Sequence, residues 1–147
     1  MSNSYTVYLP NYSVGPDCYK EIPAVVARYG KKVVLIGGKT ALSKAQDEIL
    51  AAVKDVLEVT GVVWYGGNST YENVELLMNT KEVQEADMVF AVGGGRAVDT
   101  CKTMSAKMGK PVFAFPTIAS NCAACTAISV MYKQDGSLAD YFYPPHC

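Results

Sequence analysis

Three short apolar runs in this sequence each end in a cluster of glycines and are each followed by a segment with helical periodicity. The runs are Lys32–Ile36, Gly61–Tyr65 and Asp87–Val92, and the glycines after them are Gly37-Gly38, Gly66-Gly67 and Gly93-Gly94-Gly95. A fourth run, Pro111–Phe115, is stopped by Pro116. Short β-branched runs that alternate with helices predict a parallel sheet with helices on both faces. The sequence therefore predicts an α/β, Rossmann-like fold whose strand carboxyl ends, where such sheets bind ligands, are rich in glycine.

Residues at helical spacing, all apolar except Ser105, form one face of each helix predicted between these strands. The three sets are Leu42, Ala45, Ile49, Val53 and Val56; Val74, Leu77 and Met78; and Val98, Cys101, Met104, Ser105 and Met108. Ser69 and Glu72 have capping-box spacing, which predicts that the second helix begins there. Gly109 is expected to end the third helix.

The two ends of the chain lie outside this repeat. Tyr5–Leu9 alternates and predicts an added strand, and Asp17–Tyr29 predicts a short helix. Ala127–Tyr132 and Leu138–Tyr143 flank an Asp-Gly turn, which predicts a C-terminal β-hairpin. Trp64 is expected in the core because its strand reads as buried.

Length and composition restrict the function classes. The chain has 147 residues, which favours one domain, and a net charge of −1 with no basic cluster, so nucleic acid is an unexpected partner. Its apolar runs are too short to span a bilayer, and its first residues lack a signal-like core, so we expect no membrane association and a cytoplasmic location. The five cysteines are expected to be reduced thiols.

The glycine triplet before the third helix is the strongest functional signal. A strand, a glycine turn and a helix N-terminus in that order favour binding of a phosphate, because unpaired N–H groups and the helix dipole point at the turn. The spacing departs from the usual G-x-G-x-x-G fingerprint, so a purely structural turn stays open on this ground alone.

The motif Gly93-Gly94-Gly95-x-x-x-Asp99-x-x-Lys102, followed by Phe115-Pro116-Thr117-Ile118-Ala119-Ser120, resembles the iron-containing alcohol dehydrogenase and glycerol dehydrogenase family. The family shares its fold with dehydroquinate synthase. The resemblance extends from Tyr5 to the predicted hairpin and implies the N-terminal NAD(P)-binding domain, 1–147, of such an enzyme. The segment from Ser120 to Ala124 is most similar to the hydroxycarboxylate dehydrogenase branch, which acts on 2-oxo and 2-hydroxy acids.

The resemblance implies a set of cofactor-binding residues. These are Gly93, Gly94, Gly95, Arg96, Ala97, Val98 and Asp99 at the pyrophosphate turn; Thr117, Ile118, Ala119 and Ser120 in the next loop; and Thr126, Ile128 and Tyr132 beside the nicotinamide. From the sequence, Asp99 fits cofactor binding and helix-start stabilisation equally well. Lys102 either pairs with Asp99 or faces the cleft.

Two positions depart from the glycerol-using members. Cys122 stands where those members carry an aspartate that contacts the polyol, so it is expected close to the substrate and favours a 2-hydroxy acid over glycerol. After the first strand comes Gly37-Gly38-Lys39, with no acid for a ribose 2′-hydroxyl, so NADP is as plausible as NAD.

The family also implies a divalent metal, zinc or iron, held by an aspartate and histidines on a second, helical domain. This sequence has one histidine, His146, so we assign it no metal ligands and no catalytic residue, and expect it to be the cofactor-binding half of the enzyme. Cys122 and Cys125 have Cys-x-x-Cys spacing, but apolar packing is the preferred interpretation. Two alternatives stay open, a dehydroquinate synthase-like lyase and a non-catalytic dinucleotide-binding or assembly module. An unpaired sheet edge would favour a homo-oligomer.

Overall fold

The computed structural model describes residues 11–144, which are built around a four-stranded parallel sheet. In chain order the elements are a 3-10 turn at Cys18–Glu21, α1 at Ile22–Val26, β1 at Lys32–Gly37, α2 at Lys39–Val53, β2 at Glu58–Trp64, α3 at Tyr71–Met78, α4 at Lys81–Glu85, β3 at Met88–Gly93, α5 at Gly95–Met108, β4 at Val112–Pro116, a 3-10 turn at Ala123–Cys125, β5 at Ser129–Tyr132 and β6 at Leu138–Phe142. The predicted α/β architecture with a C-terminal hairpin is confirmed. The strand predicted at Tyr5–Leu9 lies outside the described residues. None of the helices within 11–144 is long and apolar enough to cross a membrane.

The order of the strands creates a crevice at the middle of the sheet. They lie in the order β2-β1-β3-β4 and all run parallel. The chain leaves β1 through α2 towards one edge and leaves β3 through α5 towards the other. Neighbouring strands whose connections diverge form a topological switch point, where open α/β sheets bind ligands at the strand carboxyl ends. The starts of α2 and α5 therefore border one crevice.

The alternation of β1 explains why both faces of the sheet are covered. Val33 and Leu35 pack into a core with α1 and α2, whereas Val34 and Ile36 pack into a second core with α3, α4 and α5. All four side chains are fully buried. Burial of each such side chain stabilises the fold by about 1.5–3 kcal/mol. The sheet is thus a rigid support for the loops at its carboxyl edge.

The hairpin of β5 and β6 is a separate antiparallel sheet that packs against α5. Its anchor is the buried Met131, whose sulfur accepts hydrogen bonds from the hydroxyls of Ser69 at 3.4 Å and Thr103 at 3.3 Å. The Tyr132 N–H also donates to the Ser69 carbonyl at 2.7 Å. These contacts fix the hairpin to α5 and to the start of α3.

The predicted capping box at Ser69 and Glu72 is wrong by one residue. Thr70 is the N-cap of α3, and its hydroxyl accepts the N–H of Asn73 at 3.1 Å. The Ser69 hydroxyl instead donates to the Met131 sulfur. The side chain that the local spacing assigned to the cap therefore makes a tertiary contact.

Other sequence predictions need correction at the sheet edge and at helix ends. Trp64 is 49% exposed rather than in the core, because β2 is an edge strand with one neighbour. Val56 lies beyond the end of α2 and is exposed. The helix predicted over Asp17–Tyr29 is a 3-10 turn followed by the short α1, and α4 was not predicted.

The Thr70 cap leads to a first prediction. Thr70→Ala is expected to lower the free energy of unfolding by about 1 kcal/mol, which corresponds to a fall in melting temperature of about 2–4 °C for a domain of this size. Thr80→Ala is the control for loss of a threonine hydroxyl at a helix start, because the Thr80 hydroxyl does not cap α4 and donates instead to the Leu76 carbonyl at 2.9 Å. Thermal unfolding followed by circular dichroism measures both. If the two variants lose the same free energy of unfolding, the capping hydrogen bond of Thr70 adds no stability of its own.

Candidate functional site

The turn between β3 and α5 presents unpaired backbone donors at the crevice. Gly94 precedes the helix, no side chain caps it, and the Val98 N–H donates to the Gly94 carbonyl at 3.1 Å. The N–H groups of Gly95, Arg96 and Ala97 come before that bond and have no partner within the helix. Together with the helix dipole they favour an anion such as a phosphate at the turn.

The geometry of this turn requires glycine at two of its three positions, Gly93 and Gly95. Gly93 has a φ of +145°, which L side chains rarely adopt, and a Cβ there would lie 3.2 Å from the Cβ of Ala97. A Cβ at Gly95 would lie 2.7 Å from the Asn121 side-chain nitrogen, and one at Gly94 would lie 3.3 Å from Ile118. Hence the glycines allow Ala97, Ile118 and Asn121 to pack directly against the backbone of the turn.

A second helix N-terminus borders the same turn. Helix α2 begins at Lys39 after Gly38, also without a side-chain cap, and its first described hydrogen bond joins the Leu42 N–H to the Gly38 carbonyl at 2.9 Å. The Cβ position of Gly93 is 3.7 Å from the Gly38 nitrogen and 3.6 Å from the Ala41 Cβ. Two helix starts with free donors therefore adjoin at the switch point.

A cleft of about 410 Å³ extends from this point along the start of α2. Its lining is Gly38, Lys39, Thr40, Ala41, Lys44, Trp64, Tyr65, Gly67, Thr117 and Ile118. Lys39 lies over the Trp64 ring, with its Nζ 4.6 Å from the ring centre. Neither Lys39 nor Lys44 forms an ion pair within residues 11–144, and the lining contains no acidic side chain. The cleft is therefore electropositive with an aromatic wall, and its size suits a small molecule.

The loop after β4 places part of the predicted set at the cleft. Thr117 and Ile118 line it, and the Thr117 N–H donates to the Gly93 carbonyl at 3.4 Å. Ala119 and Ser120 are exposed in the same loop without lining the cleft.

Arg96 and Tyr132 meet on the other flank of the turn. The Arg96 guanidinium lies 5.1 Å from the centre of the Tyr132 ring, and Arg96 is exposed. Tyr65, which also lines the cleft, lies near the Arg96 charge. Burial raises the pKa of Tyr65 while the Arg96 charge opposes the rise, so its phenol stays protonated at neutral pH. This flank presents a cation and hydroxyl groups.

The remaining residues of the predicted turn point into the fold. Ala97 and Val98 are buried, and the Val98 N–H is already bonded within the helix. The Asp99 carboxylate accepts the Val130 N–H at 3.1 Å and lies 3.2 Å from the Lys102 ammonium. Of the alternatives that the sequence left open, the structure shows Lys102 paired with Asp99. Of these residues, Ala97 contributes its backbone N–H to the turn.

Thr126, Ile128 and Cys122 belong to the segment that follows the loop. The carbonyls of Thr126 and Ile128 accept hydrogen bonds from Lys102. Cys122 is exposed, and its carbonyl accepts the Thr126 hydroxyl at 3.0 Å. The Cys125 thiol also bonds to the Cys122 carbonyl, at 3.4 Å.

The part of the chain that the structure describes does not fit a metal centre. Residues 11–144 bring no three His, Cys, Asp or Glu side chains together in an arrangement that would hold an ion. Cys101 is fully buried, and burial raises the pKa of its thiol, so it stays neutral at physiological pH. No chemical step is assigned to a metal on these residues.

Sequence reasoning missed several residues of the site. Lys44 and Thr40 are four residues apart on α2, a spacing that places them on one helix face and was available in the sequence. Trp64, Tyr65 and Asn121 gave no comparable signal, because their positions depend on which strand is at the edge and on how the loop folds.

Comparisons with known proteins agree with this architecture. The family model for iron-containing alcohol dehydrogenase matches residues 10–146. A glycerol dehydrogenase from Escherichia coli O6:H1 is 29% identical over 135 residues, which cover 92% of this chain and 37% of that protein. Hydroxycarboxylate dehydrogenase A from Escherichia coli K12 is 32% identical over 115 residues, covering 75% of this chain and 30% of that protein.

The fold is shared with solved structures. A probable glycerol dehydrogenase from Sinorhizobium meliloti superposes with a TM-score of 0.74 at 24% identity, covering 87% of this chain and 34% of that one. The chain thus spans about a third of the length of the relatives named here. Because the family model matches nearly the whole sequence, the chain belongs to the iron-containing alcohol dehydrogenase family.

Proposed function

We propose that this chain is the NAD(P)-binding domain of an enzyme that transfers hydride between a nicotinamide cofactor and a small alcohol, polyol or 2-hydroxy acid. The observation that carries the proposal is the pair of uncapped helix N-termini, those of α2 and α5, that adjoin at the switch point beside an electropositive cleft. The family membership and the dehydrogenase names of the relatives support it. Nothing found favours the lyase or the non-catalytic module.

Each part of a dinucleotide has a complementary surface at the site. The N–H groups of Gly95, Arg96 and Ala97 would bind the pyrophosphate. The adenosine half would occupy the cleft beside Lys39 and Trp64. The nicotinamide, which exchanges hydride with the substrate carbon, would lie on the flank of Arg96 and Tyr132. A divalent metal, zinc or iron, and most of the substrate contacts would come from the part of such an enzyme that the relatives possess beyond the matched third. A cytoplasmic location and homo-oligomeric assembly stay predictions from the sequence.

Among the candidate substrates we favour 2-oxo and 2-hydroxy acids. Cys122 stands where the resemblance places a carboxylate in glycerol-using members, so an acidic substrate would not meet that carboxylate here. Arg96 is exposed on the same flank and forms no ion pair with a described residue, which adds a positive charge there.

The direct test of the proposal is a titration of the chain with NADH and NADPH, followed by the fluorescence of the reduced nicotinamide. We expect saturable binding of at least one cofactor in the micromolar to low millimolar range. Absence of saturable binding for both at millimolar concentration, in a sample with the circular dichroism of a folded α/β protein, would refute the proposal.

The charges of the cleft lead to a prediction about cofactor choice. We expect NADPH to bind more tightly than NADH, because Lys39 and Lys44 offer unpaired cations to the 2′-phosphate. Lys39→Gln should weaken NADPH binding by about tenfold, or about 1.4 kcal/mol, and leave NADH binding within twofold. Lys54→Gln, at the far end of α2, is the matched control and should change neither affinity. If Lys39→Gln loses equal affinity for NADPH and NADH, Lys39 contacts a part that the two cofactors share and not the 2′-phosphate.

A further inference from the structure

Lys102 is a buried cation whose hydrogen bonds all go to one segment of backbone. Its side chain is 5% exposed, and its ammonium donates to the carbonyls of Ala123 at 2.7 Å, Thr126 at 3.0 Å and Ile128 at 2.5 Å. An ammonium has three N–H donors, so these carbonyls use all of them. Asp99 Oδ1 lies 3.2 Å from the same nitrogen and balances its charge without receiving a hydrogen bond.

Asp99 binds the same segment with its second oxygen. Its Oδ2 accepts the Val130 N–H at 3.1 Å. Asp99 and Lys102 are three residues apart and lie on one face of α5. Together they hold backbone groups of residues 123, 126, 128 and 130 against the helix that begins at the glycine turn.

The conformation of this segment depends on the cation. Three carbonyl oxygens converge on one point, where their partial negative charges repel each other unless a positive charge lies between them. A buried charge is itself costly unless it is paired and hydrogen-bonded, as it is here. Loss of the ammonium would therefore release the segment rather than leave it in place.

The segment forms one flank of the proposed cofactor site. The cleft lined by Lys39 and Trp64 lies on one side of the glycine turn, and residues 121–132 lie on the other. On that second side Asn121 adjoins Gly95, and the Tyr132 ring lies against the Arg96 guanidinium. A dinucleotide carries a nucleoside on each side of its pyrophosphate. With adenosine in the cleft, as proposed above, the nicotinamide half would lie against residues 121–132.

We propose that Lys102 is a positioning residue that sets the nicotinamide-side segment in register with the phosphate turn. This rests on the proposed function. Because carbonyl oxygens use all three of its donors, Lys102 would act through the backbone that it binds rather than by contact with the cofactor. Its removal should therefore affect the nicotinamide half of the ligand and spare the adenosine half.

The chain contains a matched control for this residue. Lys110 also donates to three carbonyls, those of Val83 at 2.8 Å, Gln84 at 2.9 Å and Ala86 at 2.5 Å. It precedes β4 and so lies at the amino edge of the sheet, away from the strand carboxyl ends. Lys102→Gln and Lys110→Gln remove the same kind of interaction from opposite ends of the molecule.

The experiment compares two ligands by calorimetry, NADPH and 2′-phospho-ADP-ribose, which lacks the nicotinamide. We expect Lys102→Gln to bind 2′-phospho-ADP-ribose within twofold of wild type but NADPH at least tenfold more weakly, with a reduced change in nicotinamide fluorescence. Lys110→Gln should bind both ligands like wild type even though its melting temperature falls.

Four outcomes would overturn the inference. Unchanged NADPH binding in Lys102→Gln would do so, as would an equal loss for the two ligands, which indicates general destabilisation. If wild type binds neither ligand, the same comparison is made with NADH and ADP-ribose, and a wild type that binds none of the four shows that the proposed function fails as well. Should Lys102→Gln not fold, Asp99→Asn loosens the same segment while keeping side-chain size. Asp99→Asn should show the same selective loss of NADPH affinity. If this variant shows no selective loss, the proposal is refuted.

Discussion

Replacement of Gly37 by alanine is expected to destabilise the fold by about 4 kcal/mol or more, which is a large fraction of the free energy of unfolding of a typical domain. Gly37 is the last residue of β1 and pairs with Val92 of β3. A Cβ at this position would lie 2.1 Å from the Val92 carbonyl oxygen, a backbone atom that cannot turn away. The two central strands would have to separate, and both cores depend on them.

Gly38→Ala tests whether the effect is specific to the strand contact. Gly38 is the next residue, and a Cβ there would meet only the Tyr65 ring at an ordinary 3.7 Å. Chemical denaturation of both variants should show a large fall in the midpoint for Gly37→Ala and a change below about 1 kcal/mol for Gly38→Ala. A stable Gly37→Ala variant would mean that the strands are not as close as described.

Gly94→Val is expected to abolish cofactor binding while leaving the fold intact. Gly94 has a φ of −83° and a ψ of −172°, an extended conformation that valine adopts readily. Its Cβ would lie 3.3 Å from the flexible end of Ile118, which can move. The added side chain would occupy the space that a phosphate needs next to the free N–H groups. We expect affinity to fall by at least about 100-fold, or about 2.7 kcal/mol.

The control for Gly94→Val lies at the other end of the same helix. Gly109 ends α5 in the left-handed conformation, with a φ of +65° and nothing within 4 Å of its Cβ position. Gly109→Asn should be tolerated, because asparagine adopts this conformation more readily than most residues, and should bind cofactor like wild type. Fluorescence titration measures binding and circular dichroism measures folding. If a folded Gly94→Val protein binds cofactor like wild type, the phosphate does not bind at this turn.

The fold was predictable from the sequence because its signals are local. The β-branched runs of β1 and β3 are short and end in glycine, and the apolar spacing of α5 is followed by Gly109, so each element could be identified by itself. The exposure of Trp64 could not be predicted in this way. It depends on β2 lying at the edge of the sheet, and strand order is decided by how distant segments pack.

The part of the candidate site that consists of backbone N–H groups was predictable from the sequence. The part that depends on tertiary contacts was not. Three glycines before a helix predict free backbone N–H groups at the helix start, which favour an anion whatever the rest of the chain does. The roles of Asp99 and Lys102 were left open because their partners lie at residues 123–130, beyond the next strand and its loop. The same holds for Ser69, whose hydroxyl is bonded to Met131 rather than to the adjacent helix.

The most direct measurement of the central claim is the amide spectrum of the ¹⁵N-labelled chain, recorded during titration with NADPH. We expect the largest shifts at the N–H groups of Gly95, Arg96 and Ala97, followed by those of residues 38–41 at the start of α2. The amides at the amino edge of the sheet, such as those of Lys31 and Lys32, should stay in place. Binding that leaves residues 94–97 unshifted and perturbs other amides would contradict the assignment of this turn as the pyrophosphate site.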